Sequence, residues 1–197
     1  MKTIILLICC IAVTNSTIAQ DFEKDKNYLS VGLGLDFFGY REIGNSLSGT
    51  SRRSSIGPIQ LAYERGITDV LGVGRIGVGG VVTQAFYTQK HTNGADQTTY
   101  NRSRLGLMVC GAYHFEFDIP KMDVYAGIGI GLYLNSDKNK VPTGVVPGEH
   151  TTSRSIYVSG AQALFVGIRY YFTDTFGVYA ETGYGPSIFN GGLVVRL

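Results

Sequence analysis

The chain has 197 residues, a length that points to one domain, with 44% hydrophobic and only 16% charged residues. Soluble domains carry ~25% charged residues, and 27 glycines against 5 prolines argue against both a helical bundle and a disordered low-complexity chain. The net charge of +2 is too balanced for nucleic-acid binding; what remains is a Gly-rich β protein with 13 Tyr, 10 Phe and no Trp.

Residues 1–20 read MKTIILLICCIAVTNSTIAQ. Lys2 is a short positive region, Ile4–Val13 is uninterruptedly apolar, and Thr17-Ile18-Ala19 leads into the charged Asp21-Phe22-Glu23-Lys24. This layout predicts a secretory signal peptide cleaved near Ala19 or Gln20. The apolar run is far shorter than the ~20 residues of a spanning helix. Cys9 and Cys10 would leave with the leader, so residues 21–197 keep only Cys110 and no internal disulfide. An exported chain of this kind needs another source of stability, and a closed hydrogen-bonded barrel is one.

Eight segments of period-two alternation follow. Leu29, Val31, Leu33, Leu35 and Phe37 share one face of the first. Ile59, Leu61 and Tyr63 mark the second, and Ile76, Val78 and Val82 the third. The fourth sets Leu105, Leu107, Val109, Tyr113 and Phe115 against Arg104, Gly106, Cys110, Ala112, His114 and Glu116. In the fifth, Val124, Ala126, Ile128, Ile130, Leu132 and Leu134 oppose Tyr125, Gly127, Gly129, Gly131, Tyr133 and Asn135. Leu164, Val166, Ile168 and Tyr170 define the sixth, Val178, Ala180 and Tyr184 the seventh, and Leu193, Val195 and Leu197 the eighth.

The connections alternate in length. Arg41–Ser54, Thr88–Arg102 and Asn135–Arg154 are long and polar, whereas Gly66–Asp69, Asp118–Asp123 and Thr173–Thr175 are short. Long external loops and short periplasmic turns are the rhythm of a transmembrane barrel; the short connection near Pro186 departs from it. The polar face is mostly Gly, Ser and Ala, which suits the cramped interior of an eight-stranded barrel better than a solvated surface. Its charges form sign-matched sets: Arg75, Arg104, Arg169 and Arg196 against Asp36, Glu64, Glu116 and Glu181, with His114 beside Glu116. The prediction is therefore an all-β, eight-stranded, antiparallel, up-and-down transmembrane barrel over residues 21–197, with those nine side chains as a lumen ion-pair network. Positions around the turn 173–175 suggest an Arg169–Glu181 pair, and Glu64 and Arg75 flank the turn 66–69 in the same way.

Other motifs are weaker. Gly72-Val-Gly-Arg-Ile-Gly77 matches a dinucleotide fingerprint, but strand-like Val78-Gly-Gly-Val-Val-Thr83 follows where a helix should start. His91 and His150 fall in expected loops, and no clustered His/Cys pattern predicts a metal or cofactor. Ser136, Asp137, His150, Ser153 and Ser155 share one expected loop, but their spacing defines no catalytic set. Arg41, Arg52 and Arg53 suit contact with lipopolysaccharide phosphates.

The stretch Gly167-Ile-Arg-Tyr-Tyr-Phe-Thr-Asp-Thr-Phe-Gly-Val-Tyr-Ala-Glu-Thr-Gly-Tyr-Gly185 resembles the closing hairpin of the small Gram-negative outer-membrane β-barrel proteins, the OmpA- and OmpX-like barrels. Arg169, Tyr170, Gly177, Tyr179, Glu181 and Gly183–Gly185 carry the match. The chain end Gly192-Leu-Val-Val-Arg-Leu197 keeps the family's closing frame but has Leu where the family has an aromatic residue. The resemblance implies an outer-membrane location with both termini periplasmic. It also implies a non-enzymatic structural or surface-interaction role, lipid and lipopolysaccharide as surroundings, the barrel-assembly machinery as a partner in biogenesis, and a monomer. A narrow porin passing water or small ions is the alternative, and a lipid-active enzyme the second.

Overall fold

The computed structural model describes residues 22–35, 50–93, 96–117, 119–142 and 150–197. The expected leader, Asp36 and Arg41 lie outside the described residues. Eight strands follow one another: β1 (Asn27–Leu35), β2 (Thr50–Gly66), β3 (Gly74–Asn93), β4 (Asp96–Phe115), β5 (Met122–Pro142), β6 (His150–Tyr171), β7 (Phe176–Tyr184) and β8 (Phe189–Arg196). Each pairs antiparallel with its chain neighbour, and β1 pairs with β8 through contacts such as Val31↔Leu193, which closes the ring. The expected up-and-down barrel is what the chain forms.

The alternation assigns faces as the sequence predicts, because successive side chains of a strand point to opposite sides. The apolar set is outside: Leu33, Val109, Ile128 and Ile130 are 66%, 63%, 66% and 74% exposed. The polar and small set is inside, with His114, Asp123, Asn135 and Arg169 buried beside Tyr28, Tyr125 and Tyr171. The core is therefore the lumen. Glycine makes room there: a Cβ at Gly167 would run into the Tyr125 ring, and one at Gly127 into the Phe165 ring.

The strands are longer than the sequence predicts. The polar stretches Thr88–Arg102 and Asn135–Arg154 continue the β3–β4 and β5–β6 ladders, so Thr88 pairs with Asn101 and Asp137 with Ser155. His91 and His150 accordingly lie on strands, not in loops. Hydrophobic alternation is lost there although the backbone ladder continues. Side-chain bonds reinforce it, with Thr88 Oγ1 donating to Asn101 Oδ1 at 3.0 Å and Gln89 Nε2 to Ser51 Oγ at 3.0 Å. Strands β2–β6 thus run 17 to 22 residues, whereas β1, β7 and β8 have only 8 or 9 described residues each. Among the described residues the wall is tall along β2–β6 and low at β7–β8. On β2 the register shifts between Ile56 and Ile59, at Gly57 (φ 93°) and Pro58, just where the described pairing with β1 ends at Leu33↔Ile59. Proline has no ladder donor and belongs at such a bulge. Both described chain ends lie at the short-turn end, where Leu197 N–H donates to the Asn27 carbonyl at 2.8 Å.

Candidate functional site: the ionic lumen

Four charged side chains from four strands meet inside the short-turn end. Glu64 (β2), His114 (β4), Asp123 (β5) and Arg169 (β6) each occupy an inward position near the base of their strand. Arg169 donates through Nη2 to Glu64 Oε2 and through Nη1 to Asp123 Oδ2 at 3.4 Å. His114 lies between the same carboxylates, Nδ1 2.8 Å from Asp123 Oδ1 and Nε2 2.9 Å from Glu64 Oε1. Both ring nitrogens face carboxylate oxygens, so only the doubly protonated ring can donate to both. In that form two anions balance two cations. Taking an ion out of water costs several kcal/mol, roughly, and is offset only by partners of this quality. The Arg169 guanidinium also lies over the Tyr125 and Tyr28 rings, 4.5 and 5.5 Å from their centroids.

The expected partners are thereby corrected. Arg169 pairs with Glu64 and Asp123, not with Glu181. Glu181 instead accepts from neutral donors: Tyr125 Oη at 2.8 Å, Gln60 Nε2 at 3.2 Å and Asn190 Nδ2 at 3.5 Å. Arg75 pairs with Glu116 at 2.8 Å, while His114 bonds Glu64 and Asp123 rather than Glu116. The cause is that inward side chains reach across a narrow lumen as readily as along the ladder. Alternation assigns a face but not a partner across the ring. Asp123 was missed as part of a turn, yet it shares the odd-numbered face of Tyr125 and one more step of alternation would have included it.

The segment 22–26 closes the barrel below this cluster. The Phe22 ring stacks on His114, centroids 3.5 Å apart and planes 3° from parallel, and on Tyr28 at 4.7 Å. Arg75 Nη1 donates to the Phe22 carbonyl at 2.7 Å, and Asp25 N–H donates to the Gly66 carbonyl at 2.9 Å. Gly66 and Gly77 keep this space open: a Cβ at Gly77 would sit 2.8 Å from the Phe22 ring, and one at Gly66 would meet the Glu23 carbonyl. Outside, Lys24 Nζ donates to Asp69 at 2.6 Å and Arg65 to Asp25 at 2.9 Å. Their mutual hydrogen bond holds the Asp69 carboxyl below its usual range and the Lys24 ammonium above its own. Arg196 donates through Nε to the Asp174 carbonyl at 2.7 Å, stands 3.6 Å from Glu23 and lies over Tyr171.

Above the cluster is a cavity of about 70 Å³, lined among others by Gln60, Met108, Cys110, Phe165, Glu181 and Asn190. Higher still, Arg104 donates to Asn135 at 3.1 Å and covers the Tyr133 ring. Arg102 holds Asp137 with two bonds of 2.8 and 2.9 Å, a pair hidden from sequence reasoning because both residues read as loop.

No other chemistry assembles from the candidate motifs. Gly72–Gly77 lies in the β2–β3 turn and runs into β3, with no helix to carry a phosphate. His150 sits opposite Pro142 while Asp137 sits opposite Ser155, so the register separates them. Among the described residues no His/Cys/Asp/Glu group is arranged to hold a metal ion; between Glu64 and Asp123, Arg169 and His114 supply the positive charge.

No protein-family model and no curated protein matches the sequence. Among solved structures, the chain is similar to Ail, the attachment invasion locus protein of Yersinia pestis, with 11% identity over 89% of this chain and 100% of that one, at a TM-score of 0.47. It is also similar to the N-terminal β-barrel domain of Pseudomonas aeruginosa OprF, with 12% identity over 88% of this chain and 98% of that one, at a TM-score of 0.39.

Proposed function

We propose that the chain is an integral outer-membrane β-barrel that serves as a structural and surface-interaction scaffold with a charge-plugged lumen. One observation carries the reading: the polarity of the barrel is inverted. Ile128, Ile130, Val109 and Leu193 point outward and stay exposed, while Arg169, Asp123 and His114 are buried inside. An exposed apolar surface of this extent marks an interaction site, and hydrocarbon is the partner that surrounds a whole ring. The outward apolar positions of β5 run from Val124 to Leu134, in keeping with the ~9–11 residues of a tilted spanning strand. Tyr63, Tyr170, Phe172 and Phe176 at the short-turn end, and Phe86, Tyr184 and Phe189 at the other, would form the interfacial girdles in a chain without Trp. The expected leader fits export, with both termini periplasmic.

In this reading the upper parts of β2–β6 stand beyond the bilayer as a polar sheet. Exposed Arg52 and Arg53 on β2 would face lipopolysaccharide phosphates. The barrel is monomeric, relies on the barrel-assembly machinery for insertion and has no enzymatic role. The test is an unboiled gel of the outer-membrane fraction: a folded barrel migrates faster than its boiled form, whereas recovery in the soluble periplasmic fraction sinks the membrane assignment. A planar-bilayer recording tests the plug. Absence of conductance steps supports it; stable steps favour the second reading, a narrow porin, for which the cavity above the cluster speaks.

A further inference from the structure

We propose that the β2–β3 and β4–β5 turns form an apolar lip that dips into the inner leaflet of the bilayer, deeper than the β6–β7 tip does. The inference rests on the bilayer reading above and goes beyond it. Turns at a water-facing barrel end are expected to be polar, yet Ile67, Val70, Leu71, Val73, Phe117 and Ile119 are all about half exposed or more, from 49% to 68%. The two turns form one surface. The Glu116 N–H donates to the Val73 carbonyl at 2.9 Å, and the Phe115 and Phe117 rings stack at 6.1 Å. That surface continues into the outward apolar face through Tyr113 and Phe115, whose rings meet edge-on at 5.1 Å.

Four internal hydrogen bonds tie the β2–β3 turn together, which lowers the cost of placing its backbone against lipid. Ile67 N–H donates to the Ile76 carbonyl at 2.9 Å, and Leu71 N–H to the Gly74 carbonyl at 2.7 Å. Tyr113 Oη donates to the Leu71 carbonyl at 2.5 Å, and Thr68 Oγ1 accepts from Ile76 N–H at 2.8 Å. The charges beside these apolar side chains are paired: Asp69 of the β2–β3 turn with Lys24 and Glu116 of the β4–β5 turn with Arg75. Across the ring the β6–β7 tip is Thr173-Asp174-Thr175, all three exposed between Phe172 and Phe176. Two rims of one barrel end thus differ in chemistry, and an acyl-chain region is the partner that fits the first.

The absence of Trp makes the test direct. Single-Trp variants Val73→Trp, Ile119→Trp, Asp174→Trp and Ile130→Trp are folded into phosphatidylcholine vesicles carrying brominated acyl chains, with iodide as the aqueous quencher. Ile130→Trp, in the middle of the belt, reports on the bilayer reading itself. The lip predicts that Val73→Trp and Ile119→Trp lose most of their emission to bromines high on the chains and resist iodide, whereas Asp174→Trp responds to iodide. If Ile130→Trp is quenched by bromine while Val73→Trp and Ile119→Trp respond to iodide, the lip is overturned and the bilayer reading stands. Equal bromine quenching of Asp174→Trp overturns the deeper insertion of the lip. Failure of bromine to quench Ile130→Trp removes both.

Discussion

Phe22 lies flat on His114, the two rings 3.5 Å apart and within 3° of parallel. The first described residue of the chain thus packs on a member of the buried ionic cluster. Truncating a phenylalanine to alanine in a well-packed core costs about 3–5 kcal/mol, and a segment held on one face only should lose less. Phe22→Ala is expected to lower the urea midpoint in detergent micelles. It should also raise amide exchange at Asp25 and Gly66, whose backbones are joined by the segment. Gly66→Ala should give the same exchange signature without touching the aromatic ring, because its new Cβ would meet the Glu23 carbonyl.

Arg169 neutralises two carboxylates at once, so its loss leaves buried charge unmatched. Arg169→Ala is expected to cost about 3–5 kcal/mol, the range for breaking a buried ion pair. A double-mutant cycle identifies the partner. Arg169→Ala and Glu64→Ala should couple by at least about 1 kcal/mol in heat or urea unfolding. Arg169→Ala with Glu181→Ala should couple less than the Glu64 pair does, since Glu181 bonds Tyr125, Gln60 and Asn190 instead. A larger coupling to Glu181 would contradict the observed partner set.

Height along β5 sets tolerance to charge. Ile130 points outward at 74% exposure inside the apolar stretch, whereas Ser136 lies on the same face above it. Ile130→Arg should destabilise by about 2–4 kcal/mol, the value for arginine at a bilayer midplane, and should reduce the fast-migrating species on an unboiled gel. Ser136→Arg should leave that species unchanged.

The Arg102–Asp137 pair depends on the planar fork of arginine, with two bonds to one carboxylate. Arg102→Lys retains the charge and loses the fork. We expect a loss of roughly 1 kcal/mol and faster amide exchange confined to the upper β4–β5 ladder. Equal exchange throughout the barrel would indicate that the upper sheet has no separate stability.

How far the sequence discloses this arrangement depends on what each residue faces. Ile128 and Tyr125 were assigned to opposite faces correctly because lipid-side and lumen-side chemistry differ sharply at their height. Thr88 and Asn101 carry no such contrast, since both sides of the strand are polar there, and the ladder that pairs them leaves no trace in hydropathy. Partner choice is harder still. Glu64 and Arg169 are 105 residues apart, and they meet only because the lumen is narrow enough for side chains to span. Phe22 carries no sequence signal beyond its place near the expected cleavage point. Its burial depends on the room left by Gly77, a relationship between distant positions that no local pattern encodes.

The four members of the ionic cluster come from β2, β4, β5 and β6, and no single hairpin contains more than two of them. A partly assembled β2–β3 hairpin would present Glu64 without Arg169, and a β6–β7 hairpin would present Arg169 without Glu64. Asp123 and Arg169 already face each other across the β5–β6 ladder, but Glu64 gains its cationic partners only when β2 comes within reach of β4 and β6 across the lumen. Closure becomes cooperative, and joining β1 to β8 is favoured by the neutralisation of ions as well as by backbone pairing. High sequence separation of this kind slows folding. In this chain it also makes a half-built barrel the wrong species to release into a bilayer.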